Sequence, residues 1–112
     1  MDRPELTVEV RHAAAETVVS CTGEIDMMTV GHLASAVNGI LADSPPPRIV
    51  LDLARVTFCD SQGLGTLVVL SRKAARARSC LVLVNVAEFL MRVLDITGLR
   101  SALMISNEAS AM

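Results

Sequence analysis

Tryptophan and tyrosine are missing altogether, and Phe58 and Phe89 are the only aromatic residues. Proteins that hold single-stranded nucleic acid stack its bases on aromatic rings, so that class has almost nothing to work with here. A formal charge of −2 also removes the broadly basic surface that phosphate neutralisation demands, and direct nucleic-acid binding is not expected. Lysine is nearly absent too, Lys73 being the only one. The cysteines Cys21, Cys59 and Cys80 are odd in number, have no C-x-x-C spacing and no histidine cluster beside them, which excludes a disulfide framework and a structural zinc site. They read as small core hydrophobes, with Cys59 alone, two residues before Ser61, as a candidate redox-sensitive thiol. No apolar run approaches the roughly 20 residues of a membrane span. The start of the chain lacks the basic and apolar regions of a signal peptide, so a cytoplasmic protein with no membrane contact is expected.

What remains is strongly aliphatic. The 112 residues are 52% hydrophobic, enough for one domain over 1–112 that buries a core of Val, Leu, Ile, Ala and Met without metal or disulfide. That core is expected over residues 6–106, with 107–112, "NEASAM", as a frayed end.

Leu6, Val8 and Val10 alternate with Thr7, Glu9 and Arg11, the period of a strand with one buried face. Thr17 to Thr22 forms a second strand, close enough for a hairpin although "RHAAAE" has no Asn-Gly turn. "GEID", Gly23 to Asp26, ends that strand, and Asp26 is a candidate N-cap. Val30, Leu33, Ala34, Val37, Ile40 and Leu41 then keep helical spacing to about Ala42, where "DSPPP" stops the helix. Ile49 to Leu53 reads as a central strand covered on both faces, and Val56 to Cys59 leads on toward a loop. A second helix begins at Ser61 with Leu64, Leu67, Val68, Ser71, Ala74 and Ala75 on one side. Cys80 to Val84 is another buried strand. Phe89, Leu90, Val93, Leu94 and Ile96 give a third helix closed by Gly98, and Ala102 to Ser106 a last short strand. Strands alternating with helices make an α/β fold: a mixed, mostly parallel sheet of four to five strands with an N-terminal hairpin and three to four helices.

The chemistry-bearing stretch is "CDSQGLG", Cys59 to Gly65, at a strand-to-helix junction. A nucleophile elbow needs glycine two residues before the serine, and Cys59 stands there. A general base is also lacking, since His12 lies in the hairpin and His32 inside the first helix. A phosphate loop needs a lysine close by, and Lys73 is far down the helix. A plain helix cap by Asp60 or Ser61 contributes about 1 kcal/mol, yet Gly63 and Gly65 each cost about 1 kcal/mol in a helix interior. Two glycines in a first turn therefore point to the close approach of another backbone or a partner. Arg72, Lys73, Arg76 and Arg78 fall in the last turns, where they read as a solvated helix end that complements the dipole, with a partner-docking patch as the alternative.

"GEID", "DSQGLGTL" at Asp60 to Leu67 and "VLDITGL" at Val93 to Leu99 together resemble the three signature regions of the STAS domain in bacterial anti-sigma factor antagonists. The likeness spans roughly Leu6 to Ser106. It implies a switch with no catalytic residue, metal or cofactor: the unphosphorylated protein binds an anti-sigma factor that is also a GHKL-type serine kinase, and a sigma factor is released. Carried over by motif position, Ser61 is the phosphorylation site, and Asp26, Asp60, Ser61, Gln62, Gly63, Leu64 and Gly65 contact the partner. A serine phosphatase resets the switch, and a weak homodimer stands beside these partners. The alternative within the same fold is an unphosphorylated accessory subunit that binds the ATPase of an ABC lipid transporter.

Overall fold

In the computed structural model, residues 5–106 are described; the expected frayed end at 107–112 lies outside them. The elements run β1 (Thr7–His12), β2 (Glu16–Ile25), α1 (Val30–Ala42), β3 (Arg48–Cys59), α2 (Ser61–Arg76), β4 (Cys80–Val84), α3 (Glu88–Thr97), a short 3-10 turn (Leu99–Ala102) and β5 (Met104–Ser106). The strands lie in one sheet in chain order, β1-β2-β3-β4-β5. β1 is antiparallel to β2, and the remaining pairs are parallel. The α/β reading, with its hairpin, five strands and three helices, is borne out.

Each parallel connection steps one strand in the same direction, so right-handed crossovers place every helix on the same side of the sheet. The core follows: Val19, Leu51 and Leu83, adjacent in register, share one cluster with Leu33 and Val37 of α1, Leu67 and Leu70 of α2, and Leu90 and Leu94 of α3. Val50 and Val82 alternate to the opposite face, in register with Val18 and Met104, and are buried without joining that cluster. β3 is the central strand, as expected, but helices cover only one of its faces.

Three boundaries differ from the sequence reading, the last strand among them: a 3-10 turn takes Ala102, and β5 begins at Met104. β3 continues unbroken from Ile49 to Cys59, and β2 does not stop before "GEID" but pairs with β3 as far as Ile25, opposite Cys59. β2 reaches that far by two register shifts, one between Ser20 and Thr22 and one between Gly23 and Glu24. Bulges of this kind bend a strand and sharpen its twist. Gly23 makes the second one workable, since its φ is +120° and a Cβ there would run into the backbone carbonyl of Glu5. α3 ends as expected on Gly98, left-handed at φ 77°.

Gly23→Ala should therefore lose about 1–3 kcal/mol through a strained backbone and a steric clash. A urea melt should show a lower midpoint at unchanged slope; an unchanged midpoint would show that the bulge does not need glycine.

Candidate functional site

The carboxyl ends of β2 and β3 meet at one edge of the molecule. The Asp60 backbone N–H donates to the Ile25 carbonyl at 3.1 Å, tying the loop after β3 to the end of β2. Asp60 is extended (φ −90°, ψ −174°) and is the N-cap of α2, one oxygen accepting from the Gly63 N–H at 2.8 Å. Its other oxygen accepts from the Met27 N–H at 3.2 Å, across to the β2–α1 loop. The expected cap at Ser61 or Asp60 is thus made by Asp60, which also joins two loops.

Asp26 is not the N-cap of α1. It sits three residues earlier than that cap, Thr29, and folds the intervening turn by accepting from the N–H groups of Met28 at 2.9 Å and Thr29 at 3.1 Å. The Thr29 hydroxyl supplies the other side, accepting from the Asp26 N–H at 2.9 Å and donating to the Glu24 carbonyl at 2.8 Å. Thr29 is buried. Nothing in the sequence distinguished it from an ordinary polar loop residue except its place three residues after an aspartate, a spacing that suits side-chain closure of a turn.

The residues expected to contact a partner divide into two sets. Ser61 and Gln62 are exposed in the first turn of α2, and Gly65 is exposed with open space where a Cβ would stand. The Ser61 hydroxyl makes no hydrogen bond among the described residues, so no base touches it. Gly63 and Leu64 face inward instead. A Cβ at Gly63 would lie 2.8 Å from Cys59 Sγ and from both Cγ2 and the carbonyl oxygen of Ile25. The close approach that Gly63 permits is therefore to this chain's own core, and Leu64 belongs to that core.

Exposed apolar side chains flank Ser61. On the β2–α1 loop Met27 and Met28 are 67% and 63% exposed. On the other side a groove of about 420 Å³ runs between α1 and α2, lined by Ser61, Gln62, Gly65, Thr66, Val69 and Lys73 together with Ala34, Asn38 and Leu70. Val69 is half exposed there, and Lys73 Nζ reaches Asn38 Oδ1 at 3.4 Å. Lys73 thus belongs to the groove as well as to the last turn of α2. Val69 and Thr66 were missed in the sequence because each sits amid core positions of the same helix. Counting seven residues from the exposed Gln62, close to two full turns, would have placed Val69 on the same face.

Cys59 corrects the expectation of an exposed thiol. It is buried at 9% exposure, and burial, with a smaller contribution from the Asp60 charge, pushes its thiol up to about 12. Cys21 is raised likewise, by burial first and Asp52 second. A thiol held protonated and out of water is a poor redox sensor. No group of three or more His, Cys, Asp or Glu that could hold a metal occurs among the described residues. No helix among them is long and apolar enough to cross a membrane.

With this geometry in place, the chain can be compared with known proteins. The family described as "Mlab, STAS domain" matches residues 8–105. The anti-sigma-F factor antagonist RsfB of Mycobacterium tuberculosis is 36% identical over 78 residues, which span 69% of this chain and 63% of that protein, less than two thirds of its length. The anti-sigma-B factor antagonist of Bacillus subtilis is 31% identical over 101 residues, 90% of this chain and 91% of that one. The crystal structure of an anti-sigma factor antagonist from Mycobacterium paratuberculosis superposes with a TM-score of 0.81 at 32% identity, covering 93% of this chain and 87% of that one.

Removing the Asp60 carboxylate should leave two N–H groups unpaired. Asp60→Ala is expected to lose about 1–2 kcal/mol, seen as a lower thermal midpoint, while Asp60→Asn, which keeps an acceptor for Gly63, should lose clearly less; equal losses would show that capping is not the source. The thiol environments make a separate prediction. At about pH 8 a group with its pKa near 12 is thiolate in about one molecule in ten thousand, so iodoacetamide should modify the half-buried Cys80 of the native protein and spare Cys21 and Cys59 until urea is added. Peptide mass mapping that finds Cys59 alkylated as fast as Cys80 would contradict this account of the site.

Proposed function

This chain belongs to the STAS domain family, and on that premise we propose that it is an anti-sigma factor antagonist whose binding is switched off by phosphorylation of Ser61. The observation that carries the reading is Ser61 itself: an exposed hydroxyl, free of internal hydrogen bonds, on the first residue of α2. It lines the α1–α2 groove together with Lys73, and its neighbour Asp60 holds the loop that carries the exposed Met27 and Met28. The partner is an anti-sigma factor that doubles as a GHKL-type serine kinase, a serine phosphatase reverses the modification, and the exchange takes place in the cytoplasm. This is a binding protein whose only chemistry is done to it by others. The names of the Mycobacterium and Bacillus relatives support the reading.

The physics of the switch is local. Burying apolar side chains such as Met27, Met28 and Val69 against a partner is favourable at about 25 cal/mol per Å², and open backbone at Gly65 lets the partner come close to the helix. A phosphoryl group on Ser61 brings about −1.5 to −2 charges next to Asp60. In the free protein, water and the amides at the helix start can solvate that charge. In the complex it would be pressed desolvated against a fitted surface. A loss of only 2 to 3 kcal/mol weakens binding roughly 30- to 150-fold, enough to exchange partners.

Incubation with ATP and the cognate anti-sigma factor, followed by intact mass, should add one phosphoryl group to the wild type and none to Ser61→Ala. Ser61→Ala should keep the unmodified protein's affinity for the anti-sigma factor, and Ser61→Asp should bind roughly 30- to 150-fold more weakly. Equal affinities of the two variants would overturn the switch. A protein that gains no phosphate and binds a transporter ATPase would be the accessory subunit instead.

A further inference from the structure

The edge of the sheet at β1 carries a second interaction surface, distinct from Ser61. β1 pairs with β2 along one side only, so its other side presents the unpaired backbone groups of an edge strand. Edges of this kind are normally protected by charge, and β1 carries one charge of each sign, Glu9 and Arg11, on the helix-free face. Among the described residues neither forms an ion pair within the chain. Between them Val10 faces the helix side and is 39% exposed. "VEVRH", Val8 to His12, is therefore complementary to itself when reversed: an acid and a base sit symmetrically about an exposed valine.

We propose that β1 pairs antiparallel with β1 of a second copy, in the register that sets Val10 opposite Val10. Glu9 of each copy then lies across from Arg11 of the other, giving two equivalent ion pairs on one face and a valine pair on the other. In a two-fold arrangement that keeps the helices of both copies on one face, larger slips shorten the ladder and lose both ion pairs, and the nearest competing registers are shifted by two residues. One of these sets Glu9 against Glu9 and the other Arg11 against Arg11, and like charges directly opposite are destabilising. The charge pattern thus selects a single register.

The helix layer fits this arrangement. Beside β1 on the inner face lies an open groove of about 490 Å³, lined by Val10, His12 and Thr17 of the hairpin and by Ala36, Gly39 and Ile40 of α1. Nothing stands within 4 Å of the position a Cβ would take at Gly39. Joining the β1 strands brings the α1 helices of the two copies side by side across the axis. Ala36 and Gly39 keep that face of α1 low beside the groove, so the helices can approach there, with Asp43 and Pro46 at the end of α1 lining the rest of the opening. Residues 8 to 12 of each copy would form the shared ladder, and the two sheets would become one. Ser61 lies at the end of β3, clear of this edge, so self-association leaves the partner site open.

The test is a charge swap on the full chain, read by sedimentation equilibrium. Glu9→Arg alone sets like charges opposite each other in both pairs and should weaken self-association about tenfold. Adding Arg11→Glu to it restores opposite charges and should restore wild-type affinity. A Val10→Cys variant should form a disulfide-linked dimer under mild oxidation, because directly paired residues stand about 4.5–5.5 Å apart. The inference is overturned if the wild type stays monomeric up to about 1 mM, if the double swap associates no better than the single change, or if Val10→Cys yields no more covalent dimer than the wild type with its native cysteines.

Discussion

One carboxylate holds the functional end of this molecule together. Asp60 closes the start of α2 through Gly63 and grips the β2–α1 loop through Met27, while its own N–H is held by Ile25 at the end of the neighbouring strand. Two chain segments far apart in sequence, 25–27 and 60–63, are thereby fixed relative to one another at three points. The exposure of Ser61, the projection of Met27 and Met28, and the opening of the α1–α2 groove all depend on that joint. Gly63 is its steric counterpart: only a residue without Cβ lets the first turn of α2 settle against Ile25 and Cys59. The family signature around Asp60 is thus first a piece of architecture. Its suitability for docking follows from what that architecture leaves uncovered.

Much of the fold was readable from periodicity. α1 ends at Ala42 before the prolines, β4 occupies Cys80–Val84, and Gly98 closes α3; in each case the deciding signal is local, a run of apolar spacing bounded by a residue with restricted or special backbone geometry. The misreadings share one cause, which is that the deciding contact lies elsewhere in the chain. β2 outlasts its apparent stop at Gly23 because β3 is long enough to pair with it through two bulges. Asp26 resembles a helix cap in sequence, but the turn it folds is fixed by Thr29 and Glu24.

The site was legible as a place more than as a surface. "DSQGLG" marked the junction, yet Gly63 and Gly65 look alike in sequence and do opposite things, one meeting the chain's own core and the other facing open space. Cys59 was equally ambiguous, since adjacency to an exposed serine says nothing of burial when side chains alternate along a strand. Val69 and Lys73 join the site only through the packing of α2 on α1, which sets one wall of the groove. Residue identity supplied the candidates, and the tertiary contacts assigned their roles.

The strand order has a consequence for how the protein comes into being. Because β1 to β5 lie side by side in the order of the chain, each strand docks on an edge that its predecessor has already formed. No strand must be threaded between two others, and no early segment waits for a distant one before it can pair. Such a sheet can grow in one direction as the polypeptide emerges during synthesis, with each loop closed before the next begins. By the time α2 is complete, β2 and β3 are both present for Asp60 to join, while the face of α2 that packs on β4 is covered only once that strand follows.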